Sequence, residues 1–385
     1  MAMPASLWAA VYVGIAAATL PAVLPVMVGV MTDQLGFGLE RAGYVASANM
    51  GGVALGSILG AGLTRRWSWA TVIICGAAIM IGANALTMLG STFAYVAALR
   101  FTSGLGEGLV AGICYAAMGQ SGQPARALAF YAAGQGLVGA VGMGFIPTAI
   151  AHSGWQMLFV LISLLALPTF WLAGAIGSLD RRGIHVQTAV KISTVAWLGW
   201  AAVGTLLAQF VGMSAIWAFL ERLGDSKGLD TFHLSLALSA SAIANMVGSL
   251  TVGLVAHRIS GLNGIAVAFV LFLLSLAGNL LWNEWQVYVV TGVLFMLSWT
   301  VYFPFQFGLL ARFDHRGTLA AIMPAVTGTG LTVGPAIGGV LLARGGIAAI
   351  LGFGFSCMLV STLACVWLHR RFVRTTEAHH QQVGV

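Results

Sequence analysis

The sequence predicts an all-α integral membrane protein, with twelve transmembrane helices in two pseudo-symmetric six-helix bundles. Three observations predict it. Twelve apolar runs, each about the length of a membrane span, fill the chain almost end to end. Only 7% of the 385 residues are charged, against about 25% in an ordinary soluble domain. Mean hydropathy is +0.95. So little charge leaves no room for a large water-facing domain, and in lipid only segments that satisfy their own backbone hydrogen bonds are stable.

A bilayer core needs about 20 mostly apolar residues per helix. In the first half the runs are Ser6–Val30, Ala42–Leu63, Trp69–Leu89, Thr92–Gly119, Ala125–Ala151 and Trp155–Gly177. In the second they are Val195–Leu220, Phe232–Ala256, Gly264–Leu281, Gln286–Leu310, Leu319–Ala343 and Ile347–Leu368. Most links are short, so successive helices are antiparallel neighbours. The first run is read as a retained helix, because no small-residue cleavage site clearly follows it. The longest polar link divides the chain into residues 1–178, a linker at 179–194, residues 195–370 and a polar tail at 371–385, which is expected to be mobile.

Orientation follows the Lys and Arg residues. With the N-terminus inside, twelve fall on the inner side: Arg65, Arg66, Arg126, Arg181, Arg182, Lys191, Arg258, Arg312, Arg316, Arg370, Arg371 and Arg374. Four fall outside: Arg41, Arg222, Lys227 and Arg344. Both termini are therefore expected in the cytoplasm, and the net charge of +7 sits beside the anionic inner leaflet without calling for nucleic acid. Cys75, Cys114, Cys357 and Cys365 lie inside apolar runs with no CxxC pair, so neither a disulfide framework nor a metal site is expected. No Gly-x-x-x-x-Gly-Lys-Ser/Thr, HExxH or Gly-x-Ser-x-Gly pattern occurs, so a nucleotide-driven pump or an enzyme is not expected, and no cofactor.

Weak echoes suggest duplication. The basic turns around Arg66 and Arg258 are 192 residues apart, and Gly134-Gln-Gly-Leu137 and Gly328-Thr-Gly-Leu331 are 194 apart. Glycine is abundant, at 51 residues. The fifth run carries Gly134, Gly136, Gly139, Gly142, Gly144 and Pro147; the eleventh carries Gly328, Gly330, Gly334, Pro335, Gly338 and Gly339. Small residues let helices approach closely in lipid, and proline permits a bend. Static packing explains part of this. Matching positions in the two halves also suit a pair of helices that pack against the opposite half and let it rock.

These features resemble the major facilitator superfamily. The resemblance covers the whole chain: two six-helix halves, a basic central loop and cytoplasmic termini. Members carry Gly-x-x-x-Asp-Arg/Lys-x-Gly-x-Arg/Lys after the second helix; here Gly60-Ala-Gly-Leu-Thr64-Arg65-Arg66 keeps the glycine and the basic residues, but Thr64 stands where the Asp would be. Arg100-Phe-Thr-Ser-Gly104-Leu-Gly106 matches the family's fourth-helix pattern Arg-x-x-x-Gly-x-Gly, and Gly134 to Pro147 matches loosely the fifth-helix pattern frequent in exporters. Trp217-Ala-Phe-Leu-Glu221-Arg222 closes the seventh run. The resemblance implies a monomeric secondary transporter of the plasma (inner) membrane, in which the first, fourth, seventh and tenth helices line the central path and the halves rock to expose it alternately.

Ionisable residues deep in the membrane are functional candidates by default. Glu107 and Arg100 share one face of the fourth helix, about 10 Å apart along it, so each needs another partner. Glu107 is the candidate proton-coupling group, and its alternative is a structural carboxylate bonded to a neighbouring helix. Arg100 is a candidate anion contact, because a guanidinium holds a carboxylate through two parallel bonds; its alternative is a packing residue bonded to carbonyls. Asn49, Tyr131, Gln135, Gln209, Asn245, Trp299, Tyr302 and Gln306 fall near mid-depth. Of these Gln135, Gln209, Asn245, Trp299, Tyr302 and Gln306, with Trp217, are candidate substrate contacts, since aromatic walls with a few polar groups suit an amphipathic organic molecule. Trp217 also fits an outer-interface anchor. The expected partners are a small organic solute, protons and lipid. The solute is read as an organic anion with an apolar or aromatic body. Multidrug/proton antiport is the alternative, although the first run lacks the acidic residue common in such members. A receptor or lipid handler is the remote one.

Overall fold

A computed structural model describes residues 3–180, 197–255, 258–313 and 318–382. The expected linker at 179–194, with Arg181, Arg182 and Lys191, lies outside the described residues apart from its first two positions, as does Arg316. No strand occurs among the described residues. Among the described residues eight helices are long and apolar enough to cross a membrane, and one bent pair makes a ninth.

The broken first helix, the division of the merged last stretch into two, and the unbroken 27-residue fourth helix, made less apolar by Arg100 and Glu107, bring the passes among the described residues to twelve. The first, α1, is assembled from Ala5–Ala17, Thr19–Ala22, Leu24–Gly29 and a π turn at Val30–Gln34. Pro21 and Pro25 remove backbone donors there, so the helix is broken rather than continuous. Then follow α2 (Leu39–Leu63), α3 (Trp69–Thr87), α4 (Phe93–Gly119) and α5 (Pro124–Ser153). The sixth pass, α6, joins Gln156–Ala166 to Thr169–Asp180 through a 42° bend beside Pro168. The seventh, α7, is Trp197–Ala218 with a terminal turn at Leu220–Asp225. Next come α8 (Thr231–Val255), α9 (Gly261–Leu281) and α10 (Trp285–Ala311). The last helical stretch, Thr318–Gln382, is divided at Gly346, whose φ of 65° lies in the left-handed region that glycine tolerates. Its arms are α11 (318–345) and α12 (347–382). The final arm runs past the expected end at Leu368, so the tail expected to be mobile is helical as far as Gln382.

Side chains such as Val141, Phe145, Trp171, Leu254 and Val360 are exposed on the outer faces. Lipid is the solvent that makes such a surface stable. Inside each half, glycine sets the spacing. A Cβ on Gly104 or Gly108 of α4 would lie 2.1 Å from the Asn49 or Val53 carbonyl oxygen of α2. From the other side, a Cβ on Gly52 or Gly56 would lie 2.2 Å from the Phe101 or Leu105 oxygen. The α2 and α4 backbones therefore touch directly, as small-residue interfaces in lipid do.

The α5 and α11 glycines divide between the opposite half and their own. Gly136, Gly139 and Gly144 do face Met246, Ala242 and Ser239 of α8 in the opposite half, and Gly328 and Gly339 face Ala54 and Gly43 of α2. Gly134, however, meets Ile15 and Gly142 meets Val23, both of α1 in their own half. Gly330, Gly334 and Gly338 pack on Phe210, Ser214 and Ala215 of α7, also in their own half. Alternate glycines on one helix serve different neighbours, because a turn of 3.6 residues sends them to different faces. Pro335 does reach across: its carbonyl lies 2.4 Å from the position a Cβ on Gly43 would take.

Gly104→Val forces a branched side chain into backbone that cannot yield, and is expected to cost at least about 3 kcal/mol, the upper end for overpacking. Gly204→Ala, with no neighbour within 4 Å, is expected to leave the protein neutral or slightly stabilised. Melting temperatures of the purified variants check both.

Candidate functional site

A cavity of about 490 Å³ lies between the halves. Pro21, Met50, Gln135 and Met143 line it from the first half; Phe210, Trp217, Asn245 and Trp299 are among those that line it from the second. Its aromatic wall is braced: Phe210 stands edge-on to Trp299 (5.7 Å, 84°) and to Phe303 (5.5 Å, 81°). Edge-to-face packing of this kind fixes ring positions. Pro304 lies inside α10 and also lines the cavity. It lacks the amide proton the Thr300 carbonyl would otherwise receive, which loosens the helix at the wall. The cavity extends from Trp217 and Met143 toward Val252 and Gly253, near the end of α8, on the side where α1 begins.

On the far side the halves are joined. Arg222 Nη1 donates to Asp33 Oδ1 at 2.7 Å, bridging α7 to α1. The same guanidinium reaches Glu221 Oε1 at 3.1 Å and Asp225 Oδ2 at 3.5 Å. Glu221 lies against Gly29 of α1, where a Cβ would fall 2.7 Å from its Oε1. Behind this cluster Trp217 Nε1 donates to the Pro21 carbonyl at 3.4 Å, and Ser239 Oγ to the Ala140 carbonyl at 2.9 Å. Gly43 and Gly339 touch beside them. The Arg344–Glu40 pair at 3.5 Å is exposed and adds little. Tyr288 braces the seal from α10, donating its hydroxyl to the Leu220 carbonyl.

A second set of buried ionic groups lies within the first half, and neither member lines the cavity. Arg100 is fully buried. Its Nη1 donates to Asn84 Oδ1 at 2.8 Å, its Nη2 to Thr87 Oγ1 at 2.7 Å and to the Ala83 carbonyl at 3.3 Å. Phe159 of α6 lies under the guanidinium at 4.4 Å, a cation–π contact. Glu107 accepts from Asn49 Nδ2 and from Ser103 Oγ, both at 3.0 Å. Ser103 Oγ is also 3.2 Å from Asn84 Oδ1. Arg100 and Glu107 are thus joined through Asn84 and Ser103, without direct contact.

Of the candidate substrate contacts, Gln135, Asn245, Trp217 and Trp299 line the cavity. Arg100, Gln209, Tyr302 and Gln306 do not. Gln306 Nε2 donates to Thr205 Oγ1 and Ser361 Oγ, tying α10 to α7 and α12, and Tyr302 bonds Ser361 and Thr362 of α12, all within the second half. Gln209 is buried with both amide atoms unpaired among the described residues. Tyr131 stacks edge-on with Tyr115 inside the first half. Arg65, Arg66 and Arg258 lie exposed in the turns after α2 and α8. Sequence reading missed the Asp33–Glu221–Arg222 cluster. Its visible signal was an acid at the end of the first pass and an adjacent Glu-Arg pair at the end of the seventh.

Burial pushes the Glu221 carboxyl from 4.5 up to about 7, against the pull of Arg222. Parting the halves on this side would hydrate Glu221 and return it to its ordinary range, so the sealed arrangement binds the extra proton. The seal is therefore favoured at low pH, and that advantage is lost as the pH rises through about 7. Spin labels at Gln34 and Ser226 are expected to show more of the separated population as the pH rises from about 5 to about 8, with the dependence removed in Glu221→Gln.

No curated protein matches the chain. A model of the Major Facilitator Superfamily matches residues 7–313, which takes in α1 to α10. That match covers most of the sequence, and the twelve passes, the cavity between two halves and the seal on one side agree with it: the chain is a multi-pass membrane protein and belongs to the major facilitator superfamily of secondary transporters.

Proposed function

We propose that the protein is a proton-coupled secondary transporter of a small organic solute with an apolar or aromatic body. It would act in the plasma (inner) membrane by alternating access, with both termini in the cytoplasm, where the excess of Lys and Arg favours them. The observation that carries this reading is the cavity itself: it is walled by both halves and closed at one end only by contacts that cross between them. Rocking the halves breaks those contacts and turns the cavity to the other side.

Glu107 is the proposed proton carrier. As a carboxylate it accepts from Asn49 and Ser103. When protonated it must donate, and Ser103 can receive that proton by turning its own hydroxyl toward Asn84 Oδ1, 3.2 Å away. Asn84 Oδ1 already receives Arg100. The protonation state of Glu107 is thereby passed to the Arg100 hydrogen-bond set by one hydroxyl rotation.

The anion preference expected from Arg100 finds no support in the cavity, because the guanidinium is spent on Asn84, Thr87, the Ala83 carbonyl and Phe159. Multidrug/proton antiport is the second reading. It is favoured by Met50, Met143 and Met296 beside four aromatic residues in the cavity wall, a pliable surface of the kind that accepts unlike ligands.

In proteoliposomes, Glu107→Gln is expected to stay folded, to keep exchange of substrate in the absence of a gradient, and to lose proton-driven accumulation. Wild-type accumulation by this variant at every pH tested would remove Glu107 from the coupling role. Arg100→Ala leaves Asn84 and Thr87 short of a charged donor and is expected to cost about 3 kcal/mol of stability, without changing ligand affinity in the protein that survives. A selective loss of carboxylate ligands in a stable Arg100→Lys variant would restore the anion reading.

A further inference from the structure

The cavity wall combines two properties that together limit its cargo. The first is charge. No Asp, Glu, Lys, Arg or His is among the described residues lining it. A charged solute entering this space would give up water and find no counter-charge, which costs several kcal/mol. The buried ions outside the lining are engaged elsewhere: Arg100 and Glu107 with partners inside the first half, Glu221 and Arg222 with each other and with Asp33 in the seal.

The second property is a matched pair of amide groups. Gln135 on α5 and Asn245 on α8 enter the cavity from facing helices. They stand at the same depth, because their neighbours Gly136 and Met246 are in contact: a Cβ on Gly136 would fall 2.6 Å from the Met246 Cβ. Gln135 spends its Nε2 on the Ile15 carbonyl at 3.4 Å, which leaves Oε1 without a partner among the described residues. Asn245 turns Oδ1 toward the Ser249 hydroxyl (3.4 Å), with the Thr300 hydroxyl, which donates to the Met296 carbonyl, 3.3 Å away; its Nδ2 has no partner among the described residues. One half thus offers an acceptor and the other a donor, beside the Phe210–Trp299 wall.

We infer that the cargo is an uncharged molecule with a flat apolar or aromatic body and a carboxamide-like edge, an N–H beside a C=O, which Gln135 and Asn245 hold from opposite halves. A group bonded to both halves also reports their separation, so it is gripped only while the walls are close. This inference rests on the transport reading above and names the substrate class of the same cavity.

The test is equilibrium binding to the purified full chain in nanodiscs. The probes are matched triads: benzamide, benzoate and benzylammonium, then naphthalene-2-carboxamide, 2-naphthoate and 2-naphthylmethylammonium. The carboxamide of at least one triad is expected to bind about ten-fold or more tighter than both charged members, a gap of about 1.4 kcal/mol. Gln135→Leu and Asn245→Leu are each expected to erase that preference. Asn245→Asp, which keeps the shape of the side chain, is expected to move it toward the ammonium member. A charged member binding best to the wild type, no binding by either carboxamide, or an unchanged preference in all three variants would overturn the inference. The transport reading is judged separately, by labelling Thr300→Cys, with the native cysteines replaced, from each side of the membrane. Labelling from both sides keeps transport even if the cargo class falls; labelling from one side only, under every gradient, removes transport itself.

Discussion

Water is absent from the bilayer core, and most of this structure follows from that. A polar group there has to find its partner inside the protein. The backbone answers by being helical. The side chains answer by forming closed sets: Arg100 with Asn84, Thr87 and the Ala83 carbonyl, and Glu107 with Asn49 and Ser103. Each set needs helices close enough for short side chains to reach. The contact of α2 with α4 through Gly52, Gly56, Gly104 and Gly108 provides that closeness, so the glycines and the buried charges depend on each other.

The two halves meet this constraint with different chemistry. The first half buries an acid and a base, linked by neutral amides and hydroxyls. The second buries Thr205, Tyr302, Gln306, Ser361 and Thr362 in a neutral set around α10. A neutral set has no protonation state to change near neutral pH. The proposed proton carrier Glu107 lies in the first half and Glu221 of the seal in the second, while the second half supplies the aromatic wall.

The fold class was legible because each span satisfies a local rule of length and apolarity. Depth was legible too, so Gln135, Asn245, Trp217 and Trp299 were named for the cavity that they line. Direction was not. The spacing of Arg100 and Glu107 puts them on one face of α4, but nothing in the sequence says that this face looks at α2 and α3 rather than at the central path. The same holds for Tyr302 and Gln306, whose face of α10 looks into its own bundle. The far-side seal was hidden for another reason. Arg222 and Asp33 are 189 residues apart, and each lies at the end of a pass, where a charge reads as an ordinary loop residue. Alternate glycines of α11 could not be assigned either, since adjacent faces of one helix serve α7 and α2.

The proposed proton site and the cavity are separate, yet they share one stretch of α2. Asn49 bonds Glu107, and the next residue, Met50, lines the cavity. The Asn49 carbonyl also lies against Gly104 of α4, with no room for a side chain between them. A change in the Asn49–Glu107 hydrogen bond therefore acts on a backbone segment that is clamped on one side and faces the cavity on the other. Interior packing at native density passes such a shift on rather than absorbing it. Farther along α2, Gly43 packs against Pro335 and Gly339 of the opposite half. One helix thus touches the carboxyl, the cavity wall and the inter-half contact in turn, which is the contiguous packing that the proposed coupling of proton binding to movement of the halves would require.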